Sequence, residues 1–205
     1  MTVLDVCGLC RTGLAPVSFT LRGGECLAVC GPSGAGKSLL LRAIADLDPN
    51  QGRVILDGRD RAAIPAPDWR RKVGYLPAEP GWWADRVGDH FTDWKMVSPL
   101  LSRLGLPDDA RDWPLTRPST GERMRLALVR ALAVSPLVLM LDEPTAALDR
   151  ASVQIVEEII AERRAQGLAV LWVSHDPAQA RRVAERCLVV EAGSAREEAW
   201  TPISL

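Results

Sequence analysis

The chain has 205 residues, 47% of them hydrophobic, and a formal net charge of −1. That length supports one α/β domain with a satellite subdomain, and the near-neutral balance gives no electrostatic footing for nucleic acid. No apolar run reaches the ~20 residues that span a bilayer, and the first residues, with Asp5 and no basic start, do not read as a secretory signal, so a cytosolic protein is expected.

In chain order, residues 3–6 and 17–21 read as short strands, and Arg22-Gly23-Gly24 turns the chain into a third apolar run, Cys26-Leu27-Ala28-Val29-Cys30. There follows Gly31-Pro32-Ser33-Gly34-Ala35-Gly36-Lys37-Ser38, which has the form G-x-x-x-x-G-K-S of a phosphate-binding P-loop. The glycines permit a tight turn whose N–H groups converge on phosphate oxygens. Lys37 supplies a positive charge for the β- and γ-phosphates, and Ser38 a hydroxyl for Mg²⁺. The apolar Leu39, Leu40, Leu41 and Ile44 then carry a helix whose N-terminus faces the anion.

Asp48-Pro49-Asn50-Gln51-Gly52 breaks that helix. Val54-Ile55-Leu56 with Asp57-Gly58 predicts a strand and a hairpin-type turn, and residues 73–76 predict another strand stopped by Pro77. From 78 to about 118 strand signals vanish, a helix fits residues 91–104, and five of the seven tryptophans (Trp69, Trp82, Trp83, Trp94, Trp113) lie between 69 and 113. They are either filler for a thin helical core or an apolar docking surface. Ser119 is placed to cap a helix running through Ala133, with Glu122 completing a capping box.

Leu137-Val138-Leu139-Met140-Leu141 reads as a central parallel strand ending in Asp142 and Glu143. Carboxylates at the carboxyl end of such a strand fall in the ligand crevice of an open α/β sheet. Asp142 can hold Mg²⁺ directly or through water, and Glu143 can orient or deprotonate an attacking water. Residues 153–164 predict an amphipathic helix. The strand 168–173 ends at Ser174-His175-Asp176, so His175 is expected at the same crevice edge, near the γ-phosphate. Pro177 opens the next helix and 187–190 form a last strand. Five cysteines suit a reducing compartment. Cys7 and Cys10 have no second pair at zinc spacing, and all five are expected to be small buried side chains.

The ordered set resembles the ATP-binding cassette (ABC) ATPase family over nearly the whole chain, from about Val3 to Gly193. It comprises the P-loop, Pro118-Ser119-Thr120-Gly121-Glu122, Leu141-Asp142-Glu143-Pro144-Thr145, Ala147-Leu148-Asp149 and Ser174-His175-Asp176. The resemblance implies an α/β P-loop NTPase: a mostly parallel central sheet and a small antiparallel β part (about 1–77 and 137–205), with a helical subdomain over about 78–136. It implies ATP and Mg²⁺ as cofactors, Glu143 as general base, His175 on the γ-phosphate, and Ser38 and Asp142 at the metal. Ser119, Thr120, Gly121 and Glu122 would form the signature motif that covers ATP bound to a second cassette, and Asp149 the D-loop between the two sites. The implied partners are a second cassette, identical or not, and integral membrane transporter subunits. The implied location is the cytoplasmic, inner face of the cell membrane, and no nucleic acid is expected.

Three positions depart from the family pattern. The signature, usually L-S-G-G-Q, has Thr120 and Glu122. The Q-loop position reads Pro77-Ala78-Glu79-Pro80, with Ala78 for glutamine and Glu79 beside it as an alternative oxygen ligand. No aromatic lies between Leu9 and Pro16 to stack on adenine, so loose base selectivity is expected. Two other readings share these residues. One is a soluble ABC-type ATPase acting on nucleic acid or ribosomes. The other is a regulatory nucleotide sensor with slowed turnover.

Overall fold

A computed structural model describes residues 2–199; Met1 and residues 200–205, the two ends of the expected domain range, lie outside them. The chain runs β1 (Thr2–Arg11), β2 (Leu14–Arg22), β3 (Cys26–Cys30), α1 (Lys37–Ile44), β4 (Gln51–Leu56), β5 (Arg59–Asp60), α2 (Ala66–Lys72), β6 (Val73–Leu76), α3 (Trp94–Arg103) and α4 (Thr120–Ala133). It continues through β7 (Val138–Asp142), α5 (Arg150–Ala165), β8 (Ala169–Val173), α6 (Pro177–Val183), β9 (Arg186–Glu191) and β10 (Ser194–Ala199). One sheet has the order β2-β1-β4-β5 and the other β10-β9-β3-β8-β7-β6.

In the larger sheet β6, β7, β8, β3 and β9 are all parallel, and only β10 is antiparallel. Leu76 pairs with Leu141, Asp142 with Val173, and Val29 with Val173. The residues that follow, Gly31, Glu143 and Ser174, are therefore brought to one rim by strand register alone. The strands are apolar on both faces, as a covered parallel sheet requires. Leu139, Leu141, Val170 and Trp172 face a core shared with Leu101, Leu128 and Val156 from α3, α4 and α5. Val138, Met140, Ala169 and Leu171 face a second core shared with α1 and the antiparallel sheet.

The tryptophans differ in burial. Trp69, on α2, is fully buried in the second core, and its Nε1–H donates to Ile44 O at 2.9 Å, satisfying a carbonyl left open at the end of α1. Trp94 and Trp113 are buried in the core of the helical part, Trp82 is half-buried, and Trp83 is 72% exposed. His90 is buried; its Nε2 accepts from Trp83 N at 3.0 Å and Ala84 N at 3.1 Å, and Nδ1 faces Arg86 O at 3.0 Å. The Arg130 guanidinium lies over both the Trp82 and Trp83 rings. All five cysteines are free; Cys26 and Cys187 are buried, whereas Cys7, Cys10 and Cys30 are only partly covered. No helix among the described residues is long and apolar enough to cross a membrane.

Candidate nucleotide site

The P-loop leaves β3 by a route only glycine fits. Gly31 has φ +139°, and a Cβ there would lie 2.0 Å from Val190 O on the neighbouring strand β9. Gly36, at φ +108°, turns the loop into α1. The Gly193 N–H, in the β9–β10 turn, donates to Ala35 O at 3.1 Å and braces the loop from behind. Lys37 is 6% exposed, and its Nζ donates to Gly31 O and Pro32 O, both at 2.8 Å. The ammonium is thus held inside the loop, next to the turn that would receive an anion.

A cleft of about 200 Å³ opens here, lined by Ser33, Gly34, Lys37, Ser38, Glu143 and His175 among others. Glu143 follows β7 with φ +54°, and its N–H donates to Val173 O at 3.2 Å. His175 Nε2 meets Glu143 Oε1 at 2.5 Å, the two side chains being 49% and 23% exposed. The carboxylate and imidazole expected from separate strands therefore touch across the cleft, as the parallel order dictates.

Asp142 lies beneath, 4% exposed, and its Oδ2 accepts from Tyr75 Oη on β6 at 3.1 Å. Burial, then the Asp142 charge, pushes the Tyr75 hydroxyl above its ordinary range, so it remains a donor. Ser38 Oγ and an Asp142 oxygen are the donors that a hard cation takes, and no group of three or more His, Cys, Asp or Glu side chains is assembled for a metal among the described residues. That sparse oxygen set fits Mg²⁺, which commonly binds through one or two protein oxygens and fills the remainder with phosphate and water.

Behind the pair sits a network not foreseen from the sequence. Gln179, on α6 and 4% exposed, donates from Nε2 to Thr145 Oγ1 at 3.0 Å and Glu157 Oε1 at 2.9 Å. Its Oε1 accepts from Ser174 Oγ at 2.8 Å. Arg182 donates to both Glu157 oxygens, at 2.7 and 2.8 Å. Burial opposes the charge on Glu157, but the bonds from Arg182 and Gln179 outweigh it and hold the carboxyl below its usual range.

The signature segment is apart from the cleft. Ser119 caps α4: Glu122 N donates to Ser119 Oγ at 3.3 Å, while Ser119 N and Oγ each donate to Glu122 Oε2 at 2.8 Å. The bonds from the Ser119 backbone and hydroxyl hold the Glu122 carboxyl below its usual range. Thr120 is the first helical residue and exposed. Gly121 abuts the next turn, where a Cβ would come 2.9 Å from Ala147 O. Asp149 caps α5, accepting from Ser152 N at 2.9 Å and Ser152 Oγ at 2.8 Å. Ala78 and Glu79 are exposed and do not line the cleft. Phe19 is buried in the second core, away from any role in stacking.

A sequence profile described as ABC transporter matches residues 14–146. The chain is 40% identical to "Protein STAR1" of Oryza sativa subsp. japonica, covering 95% of this chain and 62% of that protein. It is 36% identical to "Probable iron export ATP-binding protein FetA" of Escherichia coli K12, covering 78% and 76%. It is also 36% identical to "Sulfate/thiosulfate import ATP-binding protein CysA 2" of Chromobacterium violaceum, covering 98% and 59%, so the chain spans only about three-fifths of two of these relatives. The fold superposes on "Structure of ATP binding subunit of ABC transporter" with TM-score 0.86 at 24% identity, over 97% of this chain and 90% of that one. With the profile covering well over half of the chain and the P-loop, Asp142-Glu143 and His175 meeting at one rim, the protein belongs to the ABC transporter family.

Proposed function

We propose that the chain is the ATP-binding and hydrolysing subunit of a membrane transporter, working as a pair of cassettes that close on ATP and part after hydrolysis. The observation that carries this is the Glu143–His175 contact directly over the P-loop cleft. In that reading the whole described chain is one ATPase domain, with the part over about 78–136 as its helical subdomain. Lys37 moves from the Gly31 and Pro32 carbonyls onto the β- and γ-phosphates, exchanging two neutral acceptors for charged ones. Ser38 and Asp142 hold Mg²⁺, whose charge offsets that of the phosphates. An incoming γ-phosphate competes for His175 Nε2, which frees the Glu143 carboxylate to take the proton of the attacking water.

Ser119 and Gly121 of one copy face the terminal phosphate of the other, where a serine hydroxyl and a helix N-terminus favour an anion. The Asp149 turn, packed against Gly121, lies between the two sites. The membrane subunits dock on the helical part beside the exposed Trp83, placing the chain at the inner face of the cell membrane. The test is the Glu143→Gln variant. It is expected to lose phosphate release by about 10²–10⁴-fold and to accumulate as an ATP-bound dimer in size-exclusion chromatography with light scattering. Monomers alone, with Mg-ATP and this variant, would refute the paired mechanism.

A further inference from the structure

Residue 179 has no place in the nucleotide cleft itself, yet it is the buried junction of four segments. Thr145 belongs to the turn that begins at Glu143, and Ser174 immediately precedes His175. Glu157 lies on α5, and Gln179 itself on α6. Its amide orientation is determined by its neighbours: Glu157, ion-paired with Arg182, can only accept, so Nε2 must face it and Oε1 must face Ser174. Both amide hydrogens and the carbonyl are then committed, with two bonds to Thr145, one to Ser174 and one to the anchor on α5. A cavity of about 230 Å³ has Glu143, Thr145, Ser174, His175 and Gln179 in its walls, so the amide lies directly behind the reacting pair.

We propose that Gln179 is a positioning residue for hydrolysis: it ties the Thr145 and Ser174 turns together and so holds Glu143 and His175 in register over the γ-phosphate. The Glu143 turn and the His175 turn come from different strands; besides the direct Glu143–His175 contact, this amide is what the described side-chain hydrogen bonds use to join them. Losing it leaves a half-buried Thr145–Ser174–Glu157 set with fewer partners than positions, and the two turns shift independently. Because misplacement by about 1 Å can cost on the order of 10² in rate, the loss is expected in kcat and not in nucleotide binding, which the P-loop supplies. The inference rests on the ATPase reading above, so its test has one arm that does not need turnover.

Gln179→Leu, Gln179→Glu, and the double variant Gln179→Glu with Glu157→Gln are compared with the unaltered protein. Gln179→Leu is expected to lower kcat by about ten- to a hundredfold with KM for ATP within about twofold. Gln179→Glu sets a second carboxylate against Glu157, and its activity should rise as pH falls and the pair comes to share a proton. The double variant exchanges the amide and the acid, restores the donor–acceptor match at unchanged net charge, and should recover most of kcat at neutral pH. The independent arm is the ¹⁵N NMR spectrum of the His175 ring, recorded without nucleotide. The ring ¹⁵N resonances should shift in Gln179→Leu and return in the double variant. If Gln179→Leu does not fold, the Glu single and double variants decide. Unchanged kcat and unshifted His175 ring resonances in the single variants, or a double variant no better than Gln179→Glu alone, would overturn the proposal. Absence of turnover in the unaltered protein, with the His175 resonances responding as described, would instead overturn the ATPase reading and leave only the coupling of the two turns standing.

Discussion

Glu122→Gln should make the protein less stable and, in the proposed paired mechanism, tighten the ATP-bound dimer at once. The carboxylate now accepts two 2.8 Å hydrogen bonds from Ser119 at the positive end of α4. Glutamine keeps an acceptor there but loses the charge–dipole attraction, which is worth about 0.3–1 kcal/mol at such a site. That corresponds to a fall in Tm of about 1–4 °C for a chain of this size. The opposite effect arises at the interface. If the terminal phosphate of the partner copy sits about 6 Å from residue 122, two unit negative charges at an effective dielectric of about 20 repel by roughly 3 kcal/mol. The residue is partly exposed, and screening by solvent and salt reduces that to about 1–2 kcal/mol, or close to tenfold in dimer affinity. The assay is sedimentation of the Glu143→Gln protein, with and without Glu122→Gln, across a concentration series in Mg-ATP at low and high salt. The gain should be largest at low salt. A dimer affinity that is unchanged or weaker, alongside the lower Tm, would show that residue 122 faces no phosphate.

Asp48→Asn should cost about 1 kcal/mol, at the upper end for partly exposed pairs, because Asp48 receives Arg42 at 2.7 and 2.8 Å and also Arg11. The Arg42 bonds, against the opposing effect of burial and with help from Arg11, depress the Asp48 carboxyl to about 2. A depressed folded-state value means the stabilisation is present above about pH 4 and is lost as pH falls toward 2. Urea melts of the two proteins should accordingly converge on acidification. Trp83→Ala should lower urea stability by no more than about 1 kcal/mol, the worth of an exposed contact with Arg130, while abolishing co-purification with the proposed membrane subunits. Trp113→Ala, at a site 5% exposed, should cost about 3–5 kcal/mol. Equal stability losses in the two tryptophan variants would mean that Trp83 is not a free surface.

What the sequence made legible was whatever has a period or a fixed spacing. The apolar run at 137–141 needed only length and its closing carboxylates to be placed as β7, and Ser119 with Glu122 announced a cap that the structure contains. The helix expected over 91–104 begins later, because Asp93 captures the Met96 N–H and starts the helix at Trp94. Helix α2 escaped notice since Pro65 and Pro67 bracket its start and its one buried residue, Trp69, looked like part of the aromatic cluster. Strand β10, Ser194–Ala199, is a polar edge strand that pairs with β9 on one side, and no apolar alternation marks it. Gln179 and Tyr75 were invisible for another reason. Apart from Ser174, five positions from Gln179, their partners lie 22 to 67 positions away in sequence, and only the folded register brings a lone amide or hydroxyl to a carboxylate.

Glu143 occupies left-handed backbone, at φ +54°. A side-chain-bearing residue held there carries a conformational penalty of about 1–2 kcal/mol that glycine would not. Turnover and robustness therefore pull this position in opposite directions. A campaign that ranked variants by heat resistance alone would reward loss of the carboxylate proposed as general base, and would report that loss as an improvement.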